Sequence, residues 1–238
     1  MNKTYKRTGI LLLALAAFTS GSIALHGQQK NALADRMAAL QQSVKENQQR
    51  LHQYQWTETQ QLTLKGEPKP PKQFLCQYGL DGQVQKTPIA SEGMQPSQGG
   101  RLKQRMVKKK TEDIQDYMEQ VKTLLGLYVP PDPVKLKQAY DAGNASISKG
   151  SAPGTAVLTF HNYDKTGDQM IITFNPKTKK IAQLSVNTYM QQPSEAITLD
   201  THFASLPDGT NYAQKTVLNM SAKKLIVTTT NSHYQKLP

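Results

Sequence analysis

Over residues 30–51 apolar side chains return every three or four positions, at Leu33, Met37, Leu40, Val44 and Leu51, with Gln, Lys and Glu between them. That spacing lays one narrow apolar stripe along a helix, suited to packing on a sheet. The period then drops to two. Tyr54, Trp56, Leu62 and Leu64 alternate with Gln55, Thr57, Gln61 and Thr63, which predicts a strand over 52–65. Gly66-Glu-Pro-Lys-Pro-Pro71 lacks the N–H groups a central strand needs and reads as a loop. Phe74, Cys76 and Tyr78 share one face of the next strand, and Leu80-Asp-Gly82 turns the chain back through Val84 and Lys86.

After a Pro-, Gly- and Ser-rich loop over 88–100, a second helix is predicted with Leu102, Met106, Ile114, Tyr117, Val121, Leu124, Leu125 and Tyr128 along its inner face. Pro130-Pro131 stops it, Asp132 caps a third helix with Pro133 at its first position, and Gly143 supplies a left-handed end. Residues 144–154 read as a flexible joint. Beyond it the alternating pattern predicts strands over 156–163, 169–174, 181–190, 196–205, 215–220 and 225–230, with turns at Asp164-Lys-Thr-Gly167 and Asn175-Pro-Lys-Thr178. Short connections favour antiparallel pairing of neighbours. The fold class is α+β: about nine strands, an N-terminal helix and a helical pair inserted at about 101–143. A sheet that long predicts a strongly curved, half-open barrel around its helices.

The first residues carry a different pattern. Lys3, Lys6 and Arg7 precede the apolar run Gly9-Ile-Leu-Leu-Leu-Ala-Leu-Ala-Ala-Phe18, and small residues end it at Ser22 and Ala24. This is the pattern of a secretory signal peptide over 1–24, with the mature chain beginning at Leu25. The run is too short to span a bilayer, so the expected product is exported and soluble, periplasmic or secreted. Residues 25–238 are long enough for one core, and a single domain is expected.

Composition adds two constraints. Cys76 is the only cysteine, so no internal disulfide exists, as befits a bacterial envelope protein better than a small disulfide-built module. The formal charge is +12, and losing Lys3, Lys6 and Arg7 leaves +9. Such a surplus favours anionic partners; export makes these phospholipid or acidic polymer rather than nucleic acid. The clearest cationic segment is Arg101, Lys103, Arg105, Lys108, Lys109 and Lys110, which opens the second helix against its dipole and so suits an anionic membrane surface. Thr111-Glu-Asp113, Asp116 and Glu119 follow, close enough to pair with the lysines instead.

A leader, a helix, a strand meander, a helical insertion and a run of strands resemble the periplasmic lipoprotein-carrier (LolA/LolB-like) fold. Leu206-Pro-Asp-Gly-Thr-Asn-Tyr212 and Lys223-Lys-Leu-Ile-Val-Thr-Thr-Thr-Asn-Ser-His-Tyr234 are similar in rhythm to the last strands of such proteins. Tyr54-Gln-Trp-Thr-Glu-Thr59 resembles the opening of uncharacterised bacterial exported proteins. The resemblance implies an apolar ligand on the concave face and transfers no binding residue.

Short catalytic patterns occur out of context. Ser146-Ile-Ser-Lys149 and Ser221-Ala-Lys-Lys224 match S-x-x-K, and Lys165-Thr-Gly167 matches K-T-G, but the chemistry needs the serine at the start of a buried helix beside a K-T-G strand. Here the three fall in a linker and two turns. His52, His161, His202 and His233 lack metal-ligand spacing, and Cys76, between Phe74 and Tyr78, reads as core. No cofactor motif is present, and the pattern assigns no oligomeric state. The sequence thus predicts a non-enzymatic envelope protein that binds an acyl chain, lipid or lipidated partner, with Trp56, Phe74, Phe160, Phe174 and Phe203 lining the cleft. The alternative is a structural or sensory interaction domain with a filled core.

Overall fold

The computed structural model describes residues 38, 39, 42–89 and 101–238, except for the side chains of 101–111 and 133. The proposed leader and residues 90–100 of the loop expected over 88–100 lie outside the described residues, while Pro88 and Ile89 belong to a strand instead. Helix α1 covers 42–51, and β1 (Tyr54–Leu64), β2 (Glu67–Pro68), β3 (Lys72–Tyr78) and β4 (Val84–Ile89) follow. Helices α2 (Arg101–Leu125) and α3 (Pro133–Asp141) come next. The chain then runs through β5 (Ala145–Lys149), β6 (Ala156–His161), β7 (Gln169–Asn175), β8 (Lys180–Tyr189), β9 (Ala196–Ser205), β10 (Asn211–Met220) and β11 (Leu225–Lys236). A one-turn 3-10 helix at Ser221–Lys223 joins the last two.

All eleven strands belong to one sheet in the order β4-β3-β1-β11-β10-β9-β8-β7-β6-β5, with β2 beside β1. Every pairing is antiparallel. Neighbours in sequence pair wherever a short turn allows it. The exception decides the topology: β1 pairs β11, and the two edges, β4 and β5, are joined by the helices instead of by hydrogen bonds.

The strong curl into a half-open barrel is corrected by this ladder, since the sheet neither closes nor curls strongly. The physical reason lies at the edges. Pro88 denies β4 one ladder donor, and β5 has only five residues, which are devices that end a sheet rather than extend it. The flexible joint expected at 144–154 is also corrected in part. Ser146 and Ile147 lie within β5, opposite Thr159 and Leu158, because the Ala-Ser-Ile-Ser-Lys alternation suffices for a half-buried edge strand.

One face of the sheet is buried or half-buried from β1 to β6. Leu62, Val227, Leu218, Leu199, Val186, Met170 and Phe160 stand opposite one another, strand by strand, from β1 to β6. Helix α2 covers one end of this face. Ile114, Tyr117, Met118, Val121, Leu124 and Leu125, at helical spacing, pack on Ile197, Met220, Leu225, Leu62 and Leu64. Of these, Val121, Ile197, Met220 and Leu225 are fully buried, and each such side chain stabilises the fold by about 1.5–3 kcal/mol.

Helix α3 packs on β5 and β6 through Leu136 and Ala139. Its predicted ends are observed: Asp132 accepts the Val134 N–H at 2.8 Å, and Gly143 has φ 76. The link between α2 and α3 is pinned by Tyr128, which is fully buried and donates its hydroxyl to Asp168 at 2.6 Å. Asp168 also accepts the N–H groups of Tyr163, Asp164 and Lys165, so one carboxylate shapes the β6–β7 turn and anchors the linker. Burial pushes the Tyr128 phenol far up, which keeps it a donor. No described helix is long and apolar enough to cross a membrane.

Candidate binding face around Trp56

Strand β1 turns Tyr54, Trp56 and Glu58 inward by simple alternation. Two of these suit a core; a carboxylate does not. Across β1–β3, Trp56 stands opposite Cys76 and Glu58 opposite Phe74, while Cys76 faces Lys86 on β4. Lys86 reaches diagonally over β3, and its ammonium lies 2.6 Å from Glu58 Oε1. The Gln60 amide donates to the same oxygen at 2.6 Å. Glu58 is 6 % exposed and therefore has its charge matched within the protein.

The pairing of β1 with β11 completes the surroundings. Trp56 stacks on Tyr234, ring centroids 5.5 Å apart and planes 10° apart, and Tyr78 tilts against its other side at the same separation. Tyr212 lies 4.4 Å from Tyr234, and His52 stacks on Tyr78 at 4.3 Å. Burial raises the pKa of Tyr78 and Tyr234, so the wall is neutral phenol and indole. Burial, with the Glu58 charge adding to it, pushes the Cys76 thiol up to about 11. At the rim, Tyr54 donates to Asp208 at 2.7 Å; that bond and the Thr210 N–H hold the Asp208 carboxyl at about 2.

Among the described residues the indole N–H of Trp56 and Oδ1 of Asn231 are buried without a partner on this face, as is Oγ1 of Thr210 at its rim. Asn231 stands opposite Glu58, and its amide nitrogen donates to the Ala213 carbonyl at 2.8 Å. Between this cluster and the part under α2, the inner face carries Gln60, Thr229, Thr216 and Thr201 in register. The strip becomes apolar only beyond β9, with Leu184, Ile172 and Leu158. An uninterrupted hydrocarbon groove does not run the length of the sheet.

The five aromatic residues singled out from the sequence fall in three places. Trp56 and Phe74 belong to the cluster. Phe160 and Phe174, 0 % and 2 % exposed, fill the core of β6 and β7. From β1 to β6 is six strand spacings, roughly 29 Å. Phe203 lies by α1, in a cleft with Val44 and Ile181. The run Arg101, Lys103, Arg105, Lys108, Lys109 and Lys110 occupies the start of α2, and its side chains lie outside the described residues. His52 joins the aromatic wall, while His161, His202 and His233 are exposed on other strands. Among the described residues no group of His, Cys, Asp or Glu is placed to hold a metal ion.

The catalytic look-alikes also have plain positions. Lys165 lies in the β6–β7 turn and donates to the carbonyls of Tyr189 and Met190. Ser221 begins the 3-10 turn and donates to the Ala196 carbonyl at 2.9 Å.

No family model matches this chain, and no curated protein matches it. Among solved structures the chain is similar to a DUF1329 family protein from Desulfovibrio piger, with 9 % identity over 84 % of this chain and 92 % of that one, at a TM-score of 0.38.

Proposed function

We propose that this protein is a non-enzymatic binding protein of the bacterial envelope that holds an acyl-bearing molecule, a lipid or a lipidated partner, at the aromatic end of its sheet. The observation that carries the reading is Trp56, whose indole is 6 % exposed while its N–H has no acceptor among the described residues. A buried donor left unpaired costs about 1–3 kcal/mol, which a partner supplying an acceptor recovers. Asn231 Oδ1 asks for the opposite, a donor. Because Lys86 neutralises Glu58, the polar part of the ligand that fits is uncharged, such as the amide, ester or hydroxyl by which acyl chains are carried. The half-buried rings of Tyr78 and Tyr234, which flank Trp56, supply apolar area, worth about 0.8 kcal/mol for each methylene they cover. The leader pattern at 1–24 and the carrier-like rhythm of 206–212 and 223–234 support the envelope assignment.

Trp56 is the sole tryptophan and reports its own site. Titration with a lysophospholipid or a monoacylglycerol is expected to change its emission saturably, with little dependence on salt. Trp56→Phe keeps a ring and removes the N–H; calorimetry should show binding about tenfold weaker, the equivalent of one lost hydrogen bond. Unchanged emission from folded protein overturns the proposal. That outcome favours an interaction domain instead, a reading consistent with Leu75, Val84 and Ile89, each about 40 % exposed at the β3–β4 edge.

A further inference from the structure

A second site lies at the other side of β11, where α1 meets the turn from β7 to β8. Its apolar floor is made by Val44, Ile181 and Phe203, and its rim by Arg50, Lys179 and Lys180. No carboxylate is among the described residues that line it.

Local structure fixes the backbone that carries these cations. Asn175 Oδ1 accepts the N–H groups of Lys177 at 2.9 Å and Thr178 at 3.2 Å, folding the turn. The next residue, Lys179, has φ 56, in the left-handed region where a side chain costs roughly 1–2 kcal/mol and glycine nothing. On the opposite wall, Asn47 clasps the backbone of Asn211, donating to its carbonyl and accepting its N–H, both at 2.6 Å. That clasp seats α1, and with it Arg50, against β10. Lys180 donates to Ser205 Oγ at 3.2 Å, a neutral partner. Among the described residues none of the three cations forms an ion pair.

Three cations gathered without a counter-charge repel one another, and an anion between them removes that cost. The cavity is about 80 Å³, well under the roughly 300 Å³ at which small-molecule pockets begin, so the anion is small. Guanidinium and ammonium donors together match a tetrahedral oxyanion, with Arg50 able to bind two oxygens at once. The geometry points to a phosphate group as the ligand of this cleft, whether inorganic phosphate or the phosphodiester of a lipid headgroup. The site is separate from the Trp56 end and stands or falls independently of it.

Thermal unfolding in inorganic phosphate, against sodium chloride of equal ionic strength, tests the free source; flotation with phosphatidylglycerol vesicles tests the headgroup. The discriminating variant is Lys179→Gly with Lys180→Gln. It removes two charges while relieving the left-handed residue, so it should fold at least as well as the parent, which circular dichroism checks. Saturable stabilisation by phosphate beyond that of chloride, weakened about tenfold in the variant, supports the free ligand. Vesicle binding lost in the variant, without a phosphate effect, supports the headgroup. The inference is overturned if phosphate acts no differently from chloride and vesicles do not bind, or if the variant retains whatever binding is seen.

Discussion

Cys76 shows how little a residue type says without its neighbours. It sits at zero exposure between Trp56 and Lys86 in register, with burial and Glu58 raising its thiol to about 11. Only the thiolate reacts, so at pH 8 the folded protein should resist iodoacetamide for hours and react promptly once denaturant exposes the strand. Rapid alkylation without unfolding would show an open thiol and sink this account. The sequence reading of Cys76 as core required only Phe74 and Tyr78 at alternate positions. Glu58, two positions from Trp56 on β1, carries no such signal, because its partner Lys86 meets it across an intervening strand.

The helices are where local chemistry and tertiary packing agree most closely. Asp132, Pro133 and Gly143 delimit α3 by rules that act within a few residues, so the ends were legible. Asp132→Ala should therefore cost about 1 kcal/mol in urea-induced unfolding, whereas Asp132→Asn, which retains a capping oxygen, should cost only a few tenths. An equal loss in both variants would mean that the charge, beside Lys135 and Asp164, matters more than the cap. Helix α2 is different in kind. Its stripe from Ile114 to Leu125 announces a buried face but not what covers it, and the cover comes from β1, β9, β10 and β11.

At the scale of the whole molecule, stability should follow the ladder rather than the chain order. Strand β1 is paired on both sides and joins the first strands to the last, while β4 and β5 are each paired on one side only among the described residues. Amide hydrogen exchange should accordingly be slowest in β1, β11, β10 and β9, near the global unfolding limit, and fastest among strands in β4 and β5. Fast exchange throughout β11 would contradict the β1–β11 pairing on which the Trp56 site depends. The aromatic wall exists only because that pairing sets Tyr234 on Trp56, 178 positions apart in the sequence.

Short-range patterns in the sequence set the elements: period-two runs, helical stripes, caps and turn residues act locally, and nearly every strand after residue 156 follows from them. The same patterns placed Tyr54, Trp56, Leu62 and Leu64 on one face of the first strand. Tertiary structure alone decided which strands are edges, that the sheet stays open, and that Phe160 and Phe174 belong to a filled core far from Trp56. It alone brought Arg50 to Lys179 and Lys180. Periodicity records which way a side chain points, because that is fixed by backbone geometry within a few residues. Which other side chain it meets depends on strand order and register, and these are settled by burial over the entire sheet.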